Sequence, residues 1–195
     1  QTLPVLSNVL LVLEGDQLSL TGTDLEVELI GRVTVADSKQ SGAITVPARK
    51  LLDICKSLAD DSMIELSMSD SNKLTVKAGR SRFSLTTLPA TEYPSVEEEP
   101  DTFSVTLSQS RLKELLDSTS FAMAQQDVRY YLNGMLFEVS NNYLRVVATD
   151  GHRLAMETMS IDDGTAETQQ LIVPRKGIIE LGRLLVDDGE ITLTF

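Results

Sequence analysis

Apolar and polar residues alternate at positions 17–20, 26–35, 63–68, 73–78, 82–87 and 143–149, and a period of two predicts strands with one buried face. Elsewhere the period lengthens. Leu112, Leu115, Leu116 and Thr119 recur at i, i+3, i+4 and i+7, which predicts a helix with one apolar stripe, and Leu51, Ile54, Cys55 and Leu58 repeat the spacing. Helix starts are marked by Pro47 and Pro174 at the first helical position and by Ser108 at a cap. Ala78-Gly79-Arg80 joins two alternating stretches and predicts a hairpin turn, with glycine supplying the positive φ. The predicted class is α+β, with antiparallel sheets and two helices per unit on one face.

The pattern also repeats. Residues 9–24 fall without gaps on residues 135–150, an offset of 149 − 23 = 126. Residues 44–61 fall on 171–188, where 174 − 47 = 127. A weaker half-period places Val105-Thr-Leu-Ser108 and the leucines after it on Ile44-Thr-Val-Pro47 and its helix, so each unit is two strand-helix-strand halves. The acidic, proline-punctuated stretch from Tyr93 to Pro100 reads as the connection. The boundaries follow as one domain over 1–95, an acidic linker over 96–102 and a second domain over 103–195. Copy two opens with a strand and helix that copy one lacks, and stops opposite Met68, so both ends are expected to be cut.

Composition narrows the class. With 42% hydrophobic and 24% charged residues among 195, the chain reads as globular, and no stretch approaches the roughly 18 apolar residues of a membrane span. No basic start leads into an apolar run, and a cytoplasmic location is expected. Cys55, the single cysteine, is expected to be a buried free thiol. The net charge of −12 argues against nucleic acid as a partner, until its distribution is considered. Lys73, Lys77, Arg80 and Arg82 stand together without an acid between positions 71 and 91, whereas Glu92, Glu97, Glu98, Glu99 and Asp101 crowd the connection. An acidic shell with a basic inner surface would touch DNA without clinging to it. An ordinary acidic protein with one basic hairpin has the same composition.

Six strings in order resemble the bacterial DNA sliding clamp family, the beta subunit of DNA polymerase III. They are Leu18-Ser-Leu-Thr-Gly-Thr-Asp-Leu-Glu26, Val46-Pro-Ala-Arg-Lys50, Ala78-Gly-Arg-Ser-Arg-Phe-Ser84, Gln126-Asp-Val-Arg-Tyr-Tyr-Leu-Asn-Gly-Met135, Ala148-Thr-Asp-Gly-His-Arg-Leu-Ala155 and Val173-Pro-Arg-Lys-Gly177. The resemblance implies repeated clamp domains, with sheets outside and two helices per domain on the inner face. Two chains of three domains would close into a homodimeric ring around duplex DNA, and the third domain is missing here. It implies partners in the polymerase catalytic subunit, the clamp loader and other proteins carrying a clamp-binding motif. Neither cofactor, metal nor membrane contact is implied.

The same resemblance assigns residues. Helices facing phosphate would use Arg49, Lys50 and Lys56 on one helix and Arg175, Lys176 and Arg183 on its copy, reading charge and not bases. Gln126, Tyr130 and Tyr131 would also approach DNA, although paired tyrosines are more often packing. Leu132, Thr149, Gly151, His152, Arg153 and Leu154 would form a groove for short peptide tails of partner proteins, with Leu132 and Leu154 as apolar walls. Two rivals stand beside this reading. An enzyme would use His152 with Asp150, but no second histidine, nucleophile elbow or phosphate loop accompanies them, and copy one carries Leu25 and Glu26 in place of Gly151 and His152. A protein-protein scaffold of the same fold without DNA contact is the other.

Overall fold

The computed structural model describes residues 3–69, 72–94, 103–162 and 167–195, with only the backbone at position 69. The acidic linker, 96–102, lies outside the described residues. The chain divides into two compact units, residues 1–97 and 98–195.

In the first unit, β1 (Asn8–Glu14), β2 (Gln17–Thr23) and β3 (Glu28–Thr34) form an antiparallel meander. After it come β4 (Gly42–Pro47), α1 (Ala48–Ser57), β5 (Glu65–Ser69), β6 (Lys73–Ala78), β7 (Ser81–Thr86) and the two-residue β8 (Leu88–Pro89). The strands make one sheet in the order β3-β2-β1-β4-β8 and another in the order β5-β6-β7. The turn between β6 and β7 is the expected hairpin, with Gly79 at φ +55°. Leu11, Val46, Leu51, Leu74, Val76 and Leu85 form its core.

The second unit runs β9 (Ser104–Ser108), α2 (Gln109–Thr119), β10 (Gly134–Ser140), β11 (Tyr143–Thr149), β12 (Leu154–Ser160), β13 (Gln169–Pro174), α3 (Arg175–Leu184) and β14 (Glu190–Thr194). Its sheets are ordered β12-β11-β10-β13 and β14-β9. The stripe predicted for α2 is its buried face, with Leu112, Leu115, Leu116 and Thr119 all at 2% exposure or less. This helix packs on β11 and β12 and touches α3, which packs on β10 and β13. A fully buried leucine contributes about 1.5–3 kcal/mol, so this stripe with Met135, Phe137, Leu144 and Val146 carries much of the unit's stability.

The sequence repeat is a structural repeat. β1, β2 and β3 begin 126 residues before β10, β11 and β12 (134 − 8, 143 − 17, 154 − 28), and α1 begins 127 before α3 (175 − 48). Register is kept as well, since Asn8 pairs with Pro47 as Gly134 pairs with Pro174. At Gly134 a Cβ would stand 2.6 Å from the Val173 carbonyl oxygen, so only glycine lets β10 approach β13 this closely.

Several expectations are corrected. Pro47 and Pro174 are the N-caps of α1 and α3, one residue before the helix, because their extended ψ of 110° and 146° still belongs to the strand. Ser108 caps α2 only by position, its hydroxyl being hydrogen-bonded to Ser110 at 2.8 Å. Tyr93, expected in the connection, is buried at 7%, and its hydroxyl donates to the Thr21 carbonyl (2.9 Å) while accepting from the Thr23 amide (3.1 Å). Burial raises this phenol above its ordinary pKa. Cys55 is exposed, not buried. It lies on the edge of the α1 stripe, and among the described residues no second helix packs on α1 as α2 packs on α3.

On the face of the β10–β13 sheet opposite the core, one polar rung crosses the strands. The Glu138 carboxylate accepts from Gln170 (2.6 Å), Tyr143 (3.0 Å) and Arg145 (2.9 Å), and these hydrogen bonds hold it below its ordinary pKa.

Candidate functional site

The segment 149–153 turns the chain from β11 into β12 with its own side chains as the scaffold. The Thr149 hydroxyl donates to the Arg153 carbonyl (2.7 Å) and accepts from the Gly151 amide (3.0 Å). Asp150 Oδ1 accepts from the amides of His152 (2.9 Å) and Arg153 (3.0 Å), and Oδ2 accepts from Arg153 Nε (3.1 Å). The Arg153 amide, then that of His152, lower the Asp150 pKa most, and the Arg153 guanidinium adds to them. A carboxylate occupied in this way shapes a loop, and the bond it makes to His152 is to that residue's backbone amide.

The first unit contains the same loop. Thr23 donates to the Val27 carbonyl (2.9 Å) and accepts from the Leu25 amide (3.1 Å), and Asp24 Oδ1 accepts from the amides of Glu26 and Val27. β3 therefore begins at Glu28, two residues later than its alternation predicted.

The structure brings five of the six expected groove residues together in or beside this loop: Thr149, Gly151, His152, Arg153 and Leu154. The sixth, Leu132, ends a short 3-10 turn, Tyr130–Leu132, and is only 8% exposed. Most of its surface is already used by its own fold, whereas Leu154 is 63% exposed. Two residues that the sequence reading missed also shape the surface. The Arg129 guanidinium lies over Gly151, its Nη1 and Nη2 each 3.3 Å from where a Cβ there would stand. Phe121, 58% exposed, lies under the Arg153 guanidinium at 5.5 Å and accepts from it through its carbonyl at 2.7 Å. Neither lies in the matched blocks of the repeat, and although Arg129 stands in the string from Gln126 to Met135, nothing there marked it as a groove residue.

The loop before Leu132 is the most exposed part of this region. Gln126 has φ +56°, Val128 is 98% exposed, and Tyr130 and Tyr131 meet edge to face at 5.9 Å with 83% and 50% exposure. The two tyrosines are thus displayed and not packed inside. Asp127 anchors the loop, its amide and carbonyl paired with the Asn133 side chain and its carboxylate with Arg129. The Arg129 guanidinium, then its backbone amide, bring the Asp127 pKa down to about 2.

The basic helical residues fall on matching places of the two units. Arg49 and Lys176 occupy one repeat position (176 − 49 = 127) and Lys56 and Arg183 another (183 − 56 = 127), two helical turns apart on one face. Arg49, Lys50, Lys56, Lys176 and Arg183 are exposed. Arg183 is paired with Glu180 at 2.6 Å, and Arg175 is half-buried, with its guanidinium 3.4 Å from the Met123 carbonyl. Arg175 is thereby tied to its own unit.

Among the described residues, no group of three or more His, Cys, Asp or Glu could hold a metal ion, and no helix is long and apolar enough to cross a membrane.

Two units of antiparallel sheet and helix, repeated in register, define the α+β DNA-clamp fold. Residues 1–97 match the N-terminal domain model of the DNA polymerase III beta subunit, and residues 106–195 match its central domain model. A beta sliding clamp of Pseudomonas aeruginosa is 63% identical over 192 residues, covering 98% of this chain and 52% of that protein. One from Escherichia coli is 49% identical, covering 97% of this chain and 51% of that protein. The crystal structure of the Pseudomonas aeruginosa subunit superposes with a TM-score of 0.94 at 62% identity, over 98% of this chain and 52% of that one. A Pseudomonas aeruginosa clamp bound to griselimycin gives 0.92 at 62% identity, over 100% of this chain and 53% of that one. The chain belongs to the DNA polymerase III beta subunit family. It spans about half the length of the curated relatives it matches.

Proposed function

We propose that this chain provides the N-terminal and central domains of a DNA sliding clamp, a non-catalytic processivity factor that encircles duplex DNA. Such a clamp tethers the replicative polymerase and other clamp-binding proteins during replication in the bacterial cytoplasm. The observation that carries the reading is the repeat of exposed basic residues, Arg49 with Lys176 and Lys56 with Arg183, on corresponding faces of α1 and α3 in a chain of this family. Charge repeated with the fold serves a polyanion that has its own regular repeat, and contacts of this kind slide because they read no base. Gln126, Tyr130 and Tyr131 extend that surface by stacking or hydrogen bonding. The loop at Thr149 to Leu154, with Arg129 beside it, is the groove for partner peptides, where Leu154 supplies the exposed apolar wall and Gly151 admits a backbone closely.

The test uses a full-length chimera in which this chain replaces the matching half of the Pseudomonas aeruginosa relative. Duplex DNA should bind with an affinity that ignores sequence and whose logarithm falls linearly with log salt. Neutralising Arg49, Lys56 and Arg183 together should flatten that line. A short synthetic peptide carrying a clamp-binding motif should bind the chimera and lose affinity with Leu154→Ala. Retained peptide binding with no DNA binding at low salt would favour the scaffold without DNA contact.

A further inference from the structure

One loop carries residues of both candidate surfaces. Val128, Tyr130 and Tyr131 are exposed along it, and Arg129, between them in sequence, turns toward Gly151 in the groove. What turns it is Asp127. Oδ1 accepts from the Arg129 amide (2.8 Å) and Nε (3.0 Å), and Oδ2 accepts from Nη2 (3.0 Å), a two-pronged grip on one edge of the guanidinium. Nη1, together with the gripped Nη2, lies on Gly151. Asp127 is itself fixed, because Asn133 donates to its carbonyl (2.8 Å) and accepts from its amide (2.9 Å), and the Asn133 carbonyl accepts from the first amide of α3 at Arg175 (2.8 Å).

We propose that Asp127 is a positioning residue shared by both surfaces, holding the Arg129 guanidinium over Gly151 in the peptide groove and withholding its charge from DNA. The inference rests on the function proposed above. Its physical content is a competition for one cation. Arg129 keeps 48% of its side chain exposed in a loop whose neighbours are the candidate DNA contacts, so without a carboxylate it would be available to neutralise a phosphate and release a counterion condensed there. With Asp127 in place the pair is neutral, and the planar fork becomes part of the groove floor. An ordinary structural role would make loss of Asp127 harm both ligands, whereas this arrangement makes the two effects opposite in sign.

The experiment measures both ligands on the same chimera, using a fluorescent duplex of arbitrary sequence over a salt series and the synthetic clamp-binding peptide by calorimetry. Asp127→Asn should bind DNA more tightly at low salt, with a plot of log affinity against log salt steeper by about 0.9, one phosphate contact's worth. Its affinity for the peptide should fall. Asp127→Glu should return the salt slope to the parent value, and Arg129→Gln in the Asp127→Asn background should remove the added slope. Should Asp127→Asn fail to fold, Arg129→Gln alone should leave the DNA slope unchanged and weaken peptide binding. An unchanged slope in Asp127→Asn, or parallel loss of both ligands, overturns the proposal. If the unmodified chimera binds neither ligand, the functional reading itself fails and this inference falls with it.

Discussion

Leu25 and Gly151 hold the same place in the two repeats, at φ +78° and +88°, each donating its amide to the threonine two residues earlier. A left-handed backbone costs an L-residue roughly 1–2 kcal/mol, and glycine almost nothing. The scaffold of Thr23 and Asp24 side-chain hydrogen bonds imposes that conformation on a leucine whose side chain is 61% exposed and repays little through burial. Leu25→Gly should therefore stabilise the first unit by about 0.5–1 kcal/mol, the relief of strain less the added chain entropy of glycine. The reverse change, Gly151→Leu, should cost about 1–2 kcal/mol and displace Arg129. Urea titration of both variants reads the two signs.

Close approach, not backbone angle, makes Gly134 specific. Its added Cβ would meet the Val173 carbonyl oxygen at 2.6 Å and Ile172 Cγ2 at 2.8 Å, and a paired strand cannot retreat without losing register. Gly134→Ala should destabilise the second unit by about 1–3 kcal/mol, the usual range for overpacking. Thermal melts that match the parent would show that β13 yields without cost.

Cys55 is on the surface of a helix and should behave as such. Its thiol should react with a chromogenic disulfide reagent at the rate of the unfolded chain, one equivalent per molecule. Cys55→Ser should shift stability by no more than about 0.5 kcal/mol, as exposed substitutions do. Leu116→Ala, on the buried stripe of α2, should cost about 2.7–5 kcal/mol in the same assay. Slow labelling of the native chain would mean that a neighbour covers α1.

Acid should loosen the second unit in a definite window. Asp127, Asp150 and Glu138 are all held below their ordinary values in the folded state. A lowered folded pKa contributes stability that is complete above the unfolded value, about 4, and is lost as pH falls through the folded one, which for Asp127 is about 2. Stability should be level from neutral pH to about 5 and decline below about 4. Glu138→Gln should make the decline shallower, measured by urea titration at each pH, and an unchanged acid slope would remove the polar rung from this explanation.

The sequence by itself determined the period of each element and the repeat, because side-chain alternation and a fixed offset are properties of order along the chain. β6 and β11 lie where alternation placed them, the α2 stripe is the buried face, and register carries the repeat from β1–β4 to β10–β13. It also put Thr149, Gly151, His152, Arg153 and Leu154 in or beside one loop, since neighbours within six positions need no fold to meet. Only tertiary structure decided that Arg129 lies over Gly151 and Phe121 under Arg153, residues separated by 22 (151 − 129) and 32 (153 − 121) positions with no shared pattern. It decided too that Cys55 is exposed and Tyr93 buried, because exposure depends on which element packs against a face, and that information is absent from the periodicity of the face itself.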